Sequence, residues 1–230
     1  MRANTSLFGH ILGSNPEICG YYEMHIGYYN WKSLWRQRLL FFRNHSSKPD
    51  MHFMFDKILH DYHHFSPNVA NQLGGQVLIS LRDPRQTIKS IVTLFREQGI
   101  THEMTDIRAA ADYYCTRVTS LGAIAREIDH YFYFDAEQLR SDNSDTLLAD
   151  ISHWLKLSQP LDSNFSHFTF SNKQKAGDTS GKLSLGKIDK KRSDYSHLSI
   201  PPDLLERAQS VYESNRKQLM AGSVNYSIKQ

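Results

Sequence analysis

The chain has 230 residues, 40% of them hydrophobic and 22% charged, which suits a folded domain with a sizeable core and sets it apart from disordered and fibrous classes. A net charge of +3 is too mild to point to nucleic acid, and no apolar run approaches the roughly 18 residues of a membrane span. Only Cys19 and Cys115 occur and the start lacks the apolar segment of a signal peptide, so no disulfide framework is indicated and a reducing, cytoplasmic setting is the expectation.

In chain order, Leu7, Ile11 and Leu12 share one face of a helix predicted over 5–13, which Gly13-Ser14-Asn15-Pro16 breaks. Trp31, Leu34, Trp35, Arg38, Leu39 and Phe42 recur at helical spacing over 30–42; that stripe reads as core, as a cleft wall or as an aromatic substrate platform. Residues 51–55 form a short apolar strand candidate leading to Asp56-Lys57. The run QVLISL over 76–81 is rich in β-formers, and Pro84 is placed to open a helix reaching about Gln98. A long helix is predicted over 105–129, a strand over Tyr131 to Phe134, and a helix over 144–157 with Ser144 as its N-cap. A final helix spans 202–220. Strands alternating with helices predict an α/β fold with a parallel sheet, as one domain over 1–230.

Three features carry chemistry. Arg82 follows the strand at 77–81, at the carboxyl end where open α/β sheets bind ligands, and Ser90 lies about two helical turns on. An Arg fork and a hydroxyl there would suit a phosphate; Arg82-Asp83-Pro84-Arg85 also reads as a salt-bridged helix start. The segment 172–192 holds seven Lys or Arg residues among glycines and serines, and reads by composition as a mobile, solvated basic linker. His60, His63 and His64 form the densest histidine group, with His60 and His64 predicted on one helical face. No Glu sits between them and no third ligand is evident, so no metal is expected. Cys115, among apolar neighbours on a helix, reads as inert core.

The opening Met1-Arg2-Ala3-Asn4-Thr5-Ser6-Leu7, together with the Arg82 and Ser90 pair, resembles the sulfotransferases that use 3'-phosphoadenosine 5'-phosphosulfate (PAPS). The pattern is nearest to the tyrosylprotein, Golgi-type and bacterial members. In that family a loop of the form P-[RK]-S-G-T-[ST]-L binds the 5'-phosphosulfate and a later Arg-x7-Ser pair binds the 3'-phosphate. The resemblance implies a three-layer α/β/α, P-loop nucleotide-hydrolase-like fold. It implies Arg2, Thr5 and Ser6 on the 5'-phosphosulfate, Arg82 and Ser90 on the 3'-phosphate, and the late Lys/Gly loop, here with Lys175, Gly177 and Lys182, over the nucleotide. Glu23 matches the family's glutamate base, Lys57 its sulfuryl-contacting lysine, and His60 is the runner-up base, offset by one residue from the cytosolic-type pattern. Arg2 is expected to neutralise the charge that grows on the bridging oxygen and to steady the transfer with Lys57. Asp135 and Glu137 match an acidic strand-end feature that supports structure.

Two departures qualify the match. Ala3-Asn4 stands where the family has Ser-Gly, and Asn adopts positive φ more readily than most residues. The family also places a central strand before this loop, and nothing precedes Met1. The expectation is a start upstream of Met1, with a degenerate relative as the other explanation. The expected activity is transfer of a sulfuryl group from PAPS to a hydroxyl or amine acceptor, without nucleic acid or metal. The rivals are a non-catalytic scaffold of the same fold and a kinase-like enzyme; the lack of a Gly-Lys-Ser/Thr ending disfavours the latter. The aromatic segment 21–35 offers a lining for a sugar, phenol or lipid headgroup acceptor.

Overall fold

The computed structural model describes residues 2–99, 101–168, 182–191 and 193–227. Its elements run α1 (Thr5–Ser14), β1 (Ile18–Cys19), α2 (Trp31–Phe42), β2 (Phe53–Met54), α3 (Pro67–Asn71), β3 (Val77–Leu81), α4 (Pro84–Glu97), α5 (Ile107–Ala125), β4 (Tyr131–Asp135), α6 (Ser144–Leu155), α7 (Pro202–Gly222) and α8 (Val224–Ser227). The fold is mixed α/β, and all strand pairs are parallel among the described residues. Instead of one continuous sheet, these residues form two two-stranded ladders, β1–β2 and β3–β4. Among them no helix is long and apolar enough to cross a membrane.

The chain divides into two compact units, each discontinuous in sequence: residues 1–3, 77–136 and 192–230 in one, and residues 4–76 and 137–191 in the other.

In the first unit β3 and β4 pair in register from Val77 opposite Tyr131 to Leu81 opposite Asp135. Tyr131 to Phe134 are all buried, which explains why this strand reads as an unbroken aromatic run rather than an alternation. The edge of β4 is finished by a side chain. Asn225 accepts from the Tyr133 N–H (3.1 Å) and donates from Nδ2 to the Tyr133 carbonyl (2.8 Å), standing in for a neighbouring strand. Asp83 caps α4 by accepting from the Gln86 N–H at 3.1 Å, with Pro84 in the first turn. Asp106 does the same for α5 through the Ala109 N–H. Gly122 brings α5 against α7; a Cβ there would meet the Asn215 Oδ1 at 2.0 Å. Asp135 accepts from the Tyr133 hydroxyl at 2.6 Å and pairs with Arg216 through both carboxylate oxygens.

In the second unit β1 pairs with β2, Ile18 opposite Phe53 and Cys19 opposite Met54. The C-terminal end of α1 is closed by Lys48, whose ammonium donates to the carbonyls of Asn15 (2.7 Å) and Ile18 (2.8 Å). Glu17 gathers the 158–159 turn by accepting from the Ser158 N–H and Oγ (2.7 and 2.8 Å) and the Gln159 N–H (3.2 Å). The Ser158 hydroxyl, foremost, holds its carboxyl below the usual range; burial acts the other way, and the two amides and His52 add to the lowering. Cys19, Tyr21 and Phe41 form one buried cluster, and Ile26, Tyr28 and Val69 another.

Three expectations need correction. The stripe on α2 is not core: Trp31, Trp35 (58% exposed) and Leu39 (67%) face solvent, while Ser33, Gln37 and Phe41 are buried. The polar pair can be buried because each finds backbone: Ser33 Oγ accepts from the Tyr29 N–H, and Gln37 Nε2 donates to the Met54 carbonyl. Ser144 is the first residue of α6 rather than its cap; Asn143 precedes the helix and makes no side-chain cap bond. The segment 60–64 is turn and loop, so His60 and His64 do not share a helical face.

Candidate functional site

The first unit gathers one group of the expected phosphate-binding residues. Arg82 follows β3 directly, and its carbonyl accepts from the Tyr114 hydroxyl at 2.8 Å, which ties this turn to α5. Ser90 is buried on α4. Arg2 donates from Nε to Ser90 Oγ at 2.9 Å, and Arg82 donates from Nη1 to the Arg2 carbonyl at 2.9 Å. Two guanidinium groups and a hydroxyl thus converge, and Arg2, expected with Thr5 and Ser6, lies with Arg82 and Ser90. Tyr195, which sequence reasoning missed, completes the group by donating to Ser90 Oγ at 3.1 Å, while Lys89 Nζ donates to the Tyr195 carbonyl. Burial pushes the Tyr195 phenol up. The hydrogen bonds of Ser193 and Ser90 and the charges of Arg2 and Arg82 outweigh that and leave it below its ordinary value. No motif around Tyr195 marks it in advance.

The second unit gathers the residues expected at the sulfuryl end. Asn4, at the position where the resembled loop has glycine, holds left-handed backbone (φ +56°), and Thr5 and Ser6 form the first turn of α1. Arg140, a second residue that sequence reasoning missed, donates from Nε to Asn4 Oδ1 at 3.2 Å and from Nη1 to the Asp189 carbonyl at 2.6 Å. A buried lysine, Lys57, directs its ammonium to Ser6 Oγ at 3.4 Å. A helix N-terminus flanked by a buried ammonium is a favourable setting for an anion.

One carboxylate holds the backbone at Lys57 and at Met24, the residue after Glu23. Asp56 Oδ1 accepts from the N–H groups of both Met24 (2.9 Å) and Lys57 (2.7 Å), and Oδ2 accepts from the Tyr28 hydroxyl at 2.6 Å. Burial pushes the Asp56 carboxyl up to about 6 even though these three bonds pull it down. The loop into Glu23 starts at Gly20, whose φ of +103° and approach to Phe55 leave no room for a side chain: a Cβ would lie 2.1 Å from the Phe55 carbonyl oxygen.

Glu23 itself is buried at 5% exposure. Its Oε1 lies 3.6 Å from both His25 Nδ1 and His63 Nδ1. His60, the runner-up base, stacks on the exposed ring of Tyr62 at 4.8 Å, and His64 stacks on Tyr29. The predicted histidine group is therefore split: only His63 turns to Glu23, joined by His25 from a distant position in sequence.

Of the late basic loop, Lys182 begins a 3-10 turn, Lys182–Leu185, and Lys190 pairs with Asp142 at 2.7 Å. Lys175 and Gly177 lie outside the described residues. Cys115 is half-buried rather than core; burial foremost raises its thiol, and the Arg207 charge and hydrogen bond act the other way. Comparison with protein-family models, curated proteins and solved structures returned no match.

Proposed function

We propose that the protein is a PAPS-dependent sulfotransferase, built on the three-layer fold of that family, moving a sulfuryl group to a hydroxyl or amine acceptor. The observation that carries this reading is the meeting of Arg82, Ser90 and Arg2: the Arg-x7-Ser pair sits at the end of a parallel strand with a second guanidinium upon it. Two cations and a hydroxyl suit a dianionic 3'-phosphate, through charge-assisted bonds and a neutral donor. The first turn of α1, with Thr5, Ser6 and Lys57, suits the phosphosulfate.

In the reaction, the acceptor oxygen or nitrogen attacks sulfur and the S–O bond to the 5'-phosphate breaks in line. Glu23 takes the acceptor's proton, and 3'-phosphoadenosine 5'-phosphate departs. Lys57 steadies the sulfuryl oxygens as charge redistributes, an effect worth a few kcal/mol for a well-placed donor, on the order of 3. The acceptor class stays open to sugars, phenols, lipid headgroups and peptide hydroxyls.

The test is calorimetric titration with 3'-phosphoadenosine 5'-phosphate, using ADP as control. Binding of the first with a clear preference over the second supports the reading. Equal or absent binding of both removes it.

A further inference from the structure

Glu23 is a buried carboxylate whose Oε1 has no hydrogen-bond partner, and the facing Nδ1 of His63 is likewise buried and without one. Leaving such groups unpaired costs roughly 1–3 kcal/mol apiece, more for a charge, so an unpaired couple aimed at a common point calls for a physical cause. A direct ion pair does not supply it: both imidazole nitrogens stand at 3.6 Å, whereas a charge-assisted N–H to carboxylate bond closes to about 2.8 Å.

The spacing has another meaning. Around an ion with bonds of about 2.0–2.2 Å to imidazole nitrogen and carboxylate oxygen, neighbouring ligand atoms of a tetrahedron lie about 3.4 Å apart. One ligand atom from each of Glu23, His25 and His63 lies within 4.8 Å of the others, so a small inward adjustment closes the set. We propose that Glu23, His25 and His63 form a three-ligand site for a divalent transition-metal ion of the Zn2+ type.

The donors exclude the hard cations, because Ca2+ and Mg2+ take six or more oxygens and this set offers two nitrogens. Two imidazoles and a carboxylate are a ligand set that zinc uses when its fourth position is left to water or substrate. The exposure is graded accordingly: Glu23 is buried at 5%, His63 is mostly covered at 11%, and His25, at 43%, opens to solvent and provides the way in. The site does not rest on the nucleotide reading. An ion held here would occupy the carboxylate that acceptor deprotonation uses, so the two roles cannot be served at once.

The test is Zn2+ binding by the metal-free 230-residue chain in competition with a chromophoric chelator, with Co2+ as a spectroscopic substitute. The parent should bind one equivalent and give the intense visible bands of four-coordinate Co2+. His25→Gly and His63→Ala should each weaken that binding by at least about tenfold. His25→Gly keeps the variant foldable, since the position is half open and holds φ +55°, which glycine adopts freely. His60→Ala and His64→Ala, neighbours outside the set, should bind as the parent does. A parent no tighter than His25→Gly, or loss of the ion in the His60 and His64 variants instead, overturns the proposal.

Discussion

Arg2 and Ser90 lie 88 positions apart in the sequence and share a 2.9 Å hydrogen bond from guanidinium Nε to hydroxyl Oγ. Arg82 reaches the same place by donating to the Arg2 carbonyl. Removing the Arg82 fork should therefore cost about 1.5–3 kcal/mol of nucleotide affinity, roughly ten- to a hundredfold in Kd for 3'-phosphoadenosine 5'-phosphate. Ser90→Ala removes one neutral partner and should cost about 1 kcal/mol. Calorimetry on the two variants checks the order, and an Arg82→Ala protein that binds as tightly as the parent would remove Arg82 from the site.

Glu23→Gln keeps the shape of the side chain and loses its basicity. Nucleotide affinity should be unchanged, while turnover should fall by about a hundred- to ten-thousandfold once an acceptor is in hand. A fully active variant moves the base elsewhere.

The carboxamide of Asn225 serves both the N–H and the carbonyl of Tyr133, a residue with no solvent exposure. Asn225→Ala strands two buried backbone groups and should destabilise the unit by about 2–3 kcal/mol. Asn225→Asp keeps an acceptor for the N–H but sets a carboxylate against the carbonyl, so it should not restore stability. Urea unfolding of the three proteins gives the comparison.

Asp56 titrates abnormally, with a definite sign. Its carboxyl is raised to about 6 in the folded chain from an unfolded value of 3.8, because burial disfavours the charged form. Between these values the folded state holds a proton that the unfolded state has released. The contribution of Asp56 to stability is therefore full below about pH 4 and declines as pH rises towards 6. Asp56→Asn has no such titration and can still accept from Met24 and Lys57 through Oδ1. Thermal melts should show the parent losing ground to Asp56→Asn between pH 4 and 6, with a constant difference above that. A parallel pH dependence of the two proteins contradicts the assignment.

The stretch from Val77 to Glu97 was legible in the sequence because its signals are local. A β-rich run and a proline in the first turn each act within a few residues, and the structure follows them closely; the Asp83 cap was not read in advance. Asn4 at positive φ was legible for the same reason. The α2 stripe was misread because helical spacing identifies a face without saying which way it points. Backbone partners for Ser33 and Gln37 let the polar side turn inward and left Trp31 and Trp35 outside.

By itself the sequence determined the alternation of strands and helices, the parallel pairing that follows from it, and the placing of Arg82 directly after a strand. Tertiary structure alone decided that Arg2 lies on Ser90, that Lys57 turns to Ser6, that Tyr195 and Arg140 join these groups, and that His25 and His63, not His60 and His64, face Glu23. The division has one physical cause. Propensity, capping and periodicity act over a turn or two of chain, whereas a charged or hydrogen-bonded group is assembled by packing between segments whose separation in sequence carries no trace of their distance in space.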